Sequence, residues 1–289
     1  MEQGNGDGNS AMGAPVKEAS SVNAQRAKFL VSDPARRVAR AQEKRRLVLH
    51  FLRDEIWTNA DIIGQLLRVS YPAAHTLMRA MGRDGLTTSS EMFVRSKRGA
   101  QRTVLHGITA QGLAYAWDIG EAQESRHPWE PSKTNPLFVP HNVETQRARV
   151  RAEQLGWHSW RPARSLMGLG LPKLPDGEIT DPNGVSVAVE IEREIKTDKR
   201  YEAVIGAYIA QIKKDERWHR VDYLCPDAEF AVRLTRVFGR LKQLRLEGQA
   251  GVSAKVGNLE QVHLDRFRFY VNEAWPDGKF LVVTQTVKK

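Results

Sequence analysis

A run of β-branched residues interrupted by acids constrains this chain more than any other stretch. Val185, Val187, Val189 and Ile191 alternate with Ser186, Ala188, Glu190 and Glu192. A strand's period of two places both glutamates on one face and the valines on the other. Upstream, Leu174-Pro175-Asp176-Gly177-Glu178-Ile179 reads as a second strand, and Asp181-Pro182-Asn183-Gly184 as the turn joining the two. Carboxylates inside such a run are costly to bury without a partner, and a divalent cation is one such partner. A solvent-facing strand whose polar side is acidic accounts for the same pattern.

At 289 residues the chain is long enough for two domains. Its formal charge of +10 points to an anionic partner, most simply nucleic acid. No apolar run approaches the roughly 18 residues of a membrane helix, so no membrane partner is expected. The beginning of the chain is rich in Gly, Asn, Ser and Ala and has no signal-peptide core. The single Cys225 fits a reducing cytoplasm and is expected to be a buried structural thiol. No Cys/His cluster has zinc spacing, and no glycine-rich phosphate loop occurs.

Residues 1–34 carry few large apolar side chains and are expected to form a disordered tail. Residues 35–120 follow with three helical segments. The first carries Arg36, Arg37, Arg40, Lys44, Arg45 and Arg46 against Val38, Leu47, Val48, Phe51 and Leu52. Thr58, three before Asp61, is the expected cap of the second, and Ser70, with Pro72 in the first turn, caps the third. The third has Leu77, Met78 and Met81 on its core side and His75, Arg79 and Arg83 on its outer side. Met92–Arg95 and Arg102–His106 are strand-like, around a basic tip containing Lys97, Arg98 and Gly99. Thr109 then caps a helix through Leu113, Tyr115, Ala116 and Trp117.

That order is the order of a winged helix-turn-helix domain, whose third helix reads the groove of duplex DNA. His75, Arg79 and Arg83 are the candidates on that helix, and Arg95, Lys97, Arg98 and Arg102 are candidate phosphate contacts on the wing. A small helical domain with a solvated, charged surface is the plainer account of the same residues.

Prolines at 128, 131, 136 and 140 mark residues 121–140 as a linker. From 141 to 289 the expected order is αβββαβαββ, a mixed α/β domain with helical crossovers. Asn142 caps its first helix, which runs through Val150 to Gly156. The crossover helix from Asp198 carries Tyr201, Val204, Ile205, Tyr208, Ile209 and Ile212 at helical spacing. Strands are expected at 221–225, 262–271 and 280–284, and a helix through Phe230, Leu234 and Leu241.

Pro175-Asp176, then Glu190-x-Glu192 on an apolar strand, then a helix, resembles the core of the PD-(D/E)XK nucleases, a restriction-endonuclease-like αβββαβ fold. With the preceding winged helix, the Leu-Pro-Asp-Gly-Glu-Ile segment and the Val-Glu-Ile-Glu-Arg-Glu run, residues 40–285 look like the replication-relaxation family. That family includes mobilisation relaxases and accessory proteins of conjugative elements. The resemblance implies a metal-dependent, relaxase-like nickase acting at a transfer origin. The alternative it leaves open is an accessory relaxosome protein, or a transcription or replication regulator, with a degenerate nuclease fold. A restriction or repair nuclease is a third reading.

Phosphodiester cleavage needs a polarised phosphate, an activated nucleophile and neutralisation of the leaving oxygen, which magnesium or manganese held by carboxylates supplies. The resemblance assigns Asp176 and Glu190 to the metal. Glu192 stands where most members carry lysine, compatible with a third metal-binding acid but removing the expected cation. Lys196 or Lys199 would replace that lysine, so the expected catalytic set is Asp176, Glu190, Glu192 and Lys196. Glu144 matches an acid that some members add from the helix, and His141 would orient a phosphate or a water, or be a plain surface histidine. Tyr201 and Tyr208 could carry a covalent phosphotyrosine link, but their spacing argues for packing. The expected partners are duplex DNA, relaxosome or coupling proteins, and a second copy of the chain through its winged helix.

Overall fold

The computed structural model describes residues 33–96, 99–215, 217–246 and 255–285. The tail expected over 1–34 therefore lies outside the described residues, apart from Asp33 and Pro34, as do Lys97 and Arg98. The chain divides after Arg45. Of the first part, Asp33–Arg45 are described; they open helix α1 (Pro34–Glu55), with the Asp33 carboxylate accepting from the Ala35 amide at 2.9 Å.

In the second part, the end of α1 buries Val48, Leu49, Phe51 and Leu52. A short strand β1 (Trp57–Thr58) follows, then helices α2 (Ala60–Leu67) and α3 (Tyr71–Arg83). The ten-residue strands β2 (Thr87–Ser96) and β3 (Gly99–Ile108) pair antiparallel, and β1 adds to β3, giving the order β1-β3-β2. Helix α4 (Ala110–Ala114) closes this region and is shorter than its apolar residues suggested. Ile62, Ile63, Met78, Met81, Leu86 and Ile108 share one core with α1.

The α2 cap corrects the sequence expectation. Asn59, not Thr58, accepts from the Ile62 amide at 3.0 Å. Thr58 is extended in β1, and its hydroxyl donates instead to Gln146 at 2.8 Å. The turn from α2 into α3 passes through Arg68 in the left-handed region at φ 52°. Ser70 and Thr109 stand at the helix starts expected of them, and Thr109 accepts from the Gly112 amide at 2.9 Å.

The larger sheet has six strands in the order β11-β10-β7-β6-β5-β4. Strands β4 (His158–Pro162), β5 (Gly177–Thr180) and β6 (Ser186–Ile191) form an antiparallel meander. β7 (Arg220–Cys225) and β10 (Phe267–Val271) continue parallel to β6, and β11 (Phe280–Val282) closes antiparallel. Helix α5 (Val139–Gln154) packs Ala148 and Ala152 on one face, against Val187, Val189, Ile191 and Trp275. Helices α7 (Asp198–Asp215) and α8 (Ala228–Arg240) cover the other with Tyr201, Ile205, Tyr208, Leu234 and Phe238. A short helix α6 (Ala163–Leu166) follows β4.

Several elements depart from expectation. α5 starts at Val139, before the expected cap Asn142, because a proline such as Pro140 is tolerated in a first helical turn. Residues 262–264 belong to helix α9 (Gln261–Leu264) rather than to a strand. An extra hairpin, β8 (Gln243–Leu246) with β9 (Lys255–Asn258), had no clear alternating pattern to announce it.

Helix α5 is shared. Its Val150 belongs to the core of α1–α3, while Ala148 and Ala152 belong to the sheet. The Trp129 ring, within the proline-rich stretch before it, is buried against Trp57, Leu105 and Val139. No helix among the described residues is long and apolar enough to cross a membrane.

Candidate nucleic-acid interface and carboxylate site

On α3, Ala74, Met78 and Met81 face inward, leaving Arg79 and Arg83 exposed. His75 is half-buried rather than outward: its ring lies 6.2 Å from Tyr71 and 6.4 Å from His106. Burial, with His75 nearby, pushes the His106 imidazole down to about 4. On the hairpin, Met92 and Val94 face the core while Phe93 and Arg95 point outward. Arg102 stands opposite Phe93 and pairs with Glu91, which raises its guanidinium further. Arg79, Arg83, Arg95 and Arg102 are thus all presented to solvent.

The carboxylates sit where the meander meets α5 and α7. Gly177 opens β5, and no larger residue fits there, since a Cβ would lie 2.4 Å from the Trp160 ring. That close packing places Asp176 beside the end of β6, where its Oδ2 accepts from the Ile191 amide at 2.7 Å. Its Oδ1 lies 3.0 Å from His141 Nε2 on α5. Burial alone would raise Asp176, but His141, the Ile191 amide and Lys173 together hold its carboxyl below the ordinary range. Burial likewise opposes the His141 charge, yet Asp176, Glu144 and Glu190 raise the imidazole above its ordinary value.

Glu190 projects from the opposite face of β6 to Val189, as the period-two reading required, and it is buried. Its Oε1 accepts from Lys173 Nζ at 2.6 Å and from the Tyr208 hydroxyl. Burial raises its carboxyl and the repulsion of Asp176 adds to that, while Lys173 and Tyr208 pull the other way. Glu192 is also buried, and its Oε2 accepts from Lys196 Nζ at 2.8 Å and Tyr201 at 3.2 Å. Glu144 meets Arg193 at 3.5 Å. Lys199 is exposed on α7.

Asp176, Glu190, His141 and Lys173 therefore share one neighbourhood, whereas Glu192 and Lys196 form a separate pair. Lys173 is the residue that sequence reading missed. Its only signal was its position three residues before Asp176, which without a structure looks like a solvated loop lysine. Tyr201 and Tyr208 pack in the core, in line with their helical spacing, and each also places its hydroxyl on a glutamate. Cys225 is buried, and burial with the charges of Glu192 and Asp227 pushes its thiol up to about 12, far from a nucleophile's range.

The set does not fit a carboxylate-held metal in this arrangement. Both oxygens of Asp176 are engaged, and Glu190 and Glu192 each have an ammonium partner. No group of three or more His, Cys, Asp or Glu among the described residues is placed to hold a metal ion. Other buried acids of this sheet follow the same rule. Glu178 accepts from Arg217 and from the Trp218 indole at 2.9 and 3.0 Å, and Asp222 from Arg220 and Trp275 at 3.1 and 3.0 Å.

Beside His141 and Asp176 opens a cavity of about 250 Å³, also lined by Trp57, Gln146, Arg164 and Met167. It is lined from α5, from Trp57 of β1 and from Ala163 and Arg164 of α6.

The fold and site define a mixed α/β protein with exposed arginines on α3 and the β2–β3 hairpin, and ion-paired carboxylates on its main sheet. No family model matches the chain, and no curated protein matches it. Among solved structures, a mutant of Lactococcus lactis ZitR in apo form is similar at 13% identity and a TM-score of 0.22. The match covers 49% of this chain and 83% of that one, and a likeness this slight carries no argument.

Proposed function

We propose that this protein binds duplex DNA through a winged helix-turn-helix formed by α1–α4 and the β2–β3 hairpin, as an accessory or regulatory protein of the replication-relaxation type. The observation that carries the reading is the pairing of α2 and α3 across the Arg68 turn, followed at once by a long hairpin, with Arg79, Arg83 and Arg95 exposed. In such a domain α3 enters the major groove while the hairpin contacts the backbone. The ion pairs of Arg149 on α5 with Asp54 and Glu55 would then set where the sheet domain lies along the duplex.

Fluorescence anisotropy with a labelled duplex, titrated at several salt concentrations, tests it. Micromolar or tighter binding that weakens steeply with salt is expected. Binding with no salt dependence would sink the proposal.

A second reading is the metal-dependent nickase. The observation favouring it is the order α5-β4-β5-β6-α7-β7, which brings Asp176, at the start of β5, and Glu190, near the end of β6, together with His141 and Lys173. Here His141 would hold a proton beside Asp176, and Lys173 would face the phosphate. A magnesium or manganese ion, if bound, would supply charge neutralisation at the leaving oxygen. Supercoiled plasmid carrying a cognate transfer origin decides between the two. Nicking that needs magnesium and is lost in Asp176→Ala and Glu190→Ala, with duplex binding retained, supports the nickase. A mobility shift without nicking supports the accessory protein.

A further inference from the structure

We propose that the ammonium of Lys173 does for Glu190 what a divalent cation does in a carboxylate-lined nuclease core, so that the Asp176–Glu190 site is a closed ion-pair cluster needing no metal. The inference rests on the accessory-protein reading of the sheet domain and deepens it.

Three observations carry it. Lys173 Nζ is 2.6 Å from Glu190 Oε1, and the same ammonium stands 5.8 Å from the centre of the Tyr208 ring. Glu190 is only 6% exposed, so its charge needs a partner inside the protein rather than in solvent. Asp176, the neighbouring acid, is already matched by His141 at 3.0 Å and the Ile191 amide at 2.7 Å. Two acids thus meet two basic groups supplied from separate places. Lys173 comes from the segment before β5 and His141 from the first turn of α5.

The chain layout explains why the lysine is absent from the Glu190-x-Glu192 run. Glu192 has its own ammonium in Lys196, and the place beside Glu190 is filled from Lys173, on the same short segment as Asp176. A second cation entering there would have to displace Lys173 or His141. A DNA-binding protein gains from this arrangement, because acids left uncompensated would repel the phosphates that the arginine surface attracts.

Thermal unfolding of the full chain tests the proposal, measured in EDTA and in millimolar magnesium. Wild type is expected to unfold at one temperature in both. Lys173→Met is expected to unfold about 5–15 °C lower, because it strands a buried carboxylate. The double variant Lys173→Met/Glu190→Gln is expected to recover most of that loss, since it removes the stranded charge as well. Duplex affinity of the folded variants should equal wild type, which keeps this test separate from that of the DNA-binding reading. A wild-type unfolding temperature that rises with magnesium, with the rise abolished by Glu190→Gln, overturns the proposal. So does a Lys173→Met chain that unfolds at the wild-type temperature. Should Lys173→Met not fold at all, a folded double variant supports the proposal and an unfolded one overturns it.

Discussion

Arg149 Nη1 donates to Glu55 Oε1 at 2.8 Å, and both side chains are buried although 94 residues separate them. The same guanidinium reaches Asp54 at 3.0 Å and Glu153 at 2.8 Å. Burial works against this charge, but the three carboxylates outweigh it and raise the group above its ordinary value. The pair fastens the last turn of α1 to α5 and hence the arginine-bearing region to the sheet. Gln146, one turn earlier on α5, repeats the attachment by donating to the Trp57 carbonyl at 2.7 Å.

Arg149→Ala should therefore destabilise the chain by about 3–5 kcal/mol, the cost of leaving buried acids without their cation. Urea unfolding followed by tryptophan fluorescence measures it. A loss under about 1 kcal/mol, the size typical of a surface pair, would show that the network is exposed in solution.

The His141–Asp176 pair should make stability depend on pH in a bounded window. His141 is raised above its ordinary 6.5, so its contribution is complete below that value and is lost as pH climbs through the folded value. Asp176 is depressed below 3.8, so its contribution is present above that value and is lost as pH falls through the folded one. The pair is thus most stabilising between 3.8 and 6.5. The stability gap between wild type and His141→Gln should be wider near the upper end of that window than in mild alkali. A gap independent of pH would refute the pairing.

Lys97→Ala with Arg98→Ala should weaken duplex binding about equally for all sequences and reduce the salt slope by roughly 2. Arg79→Ala and Arg83→Ala on α3 should instead change the preference among sequences if either side chain reaches a base edge. Competition anisotropy with a specific and a random duplex separates the two behaviours. An unchanged salt slope in the wing variant would exclude the wing as a phosphate contact.

Gly177→Ala should cost about 1–3 kcal/mol, because the added methyl must push the Trp160 ring aside. The displacement would also move Asp176 away from the Ile191 amide. Shifted tryptophan emission together with a lowered unfolding midpoint would register both effects. A fully wild-type midpoint would mean that the ring moves freely.

Much of the architecture was legible in the sequence because its signals are local. The alternation from Val185 to Ile191 determines a strand with Glu190 on the face opposite the valines. The spacing of Tyr201, Ile205 and Tyr208 determines an amphipathic crossover helix. The Ser70 and Thr109 helix starts, and the two strand-like runs around a basic glycine tip, follow from caps and turn chemistry. The β8–β9 hairpin, the α9 turn and the Asn59 cap were not legible, since short elements are chosen by the packing around them rather than by period.

The tertiary structure alone decided who neutralises whom. The sequence presented three acids close together and left open whether a metal or a side chain balances them. Lys173, His141 and Lys196 answered that, and only folding brings His141 to Asp176 across 35 residues of chain. Burial supplies the reason: once Glu190 leaves water, its charge must be met at contact distance, and the fold determines which cation stands there.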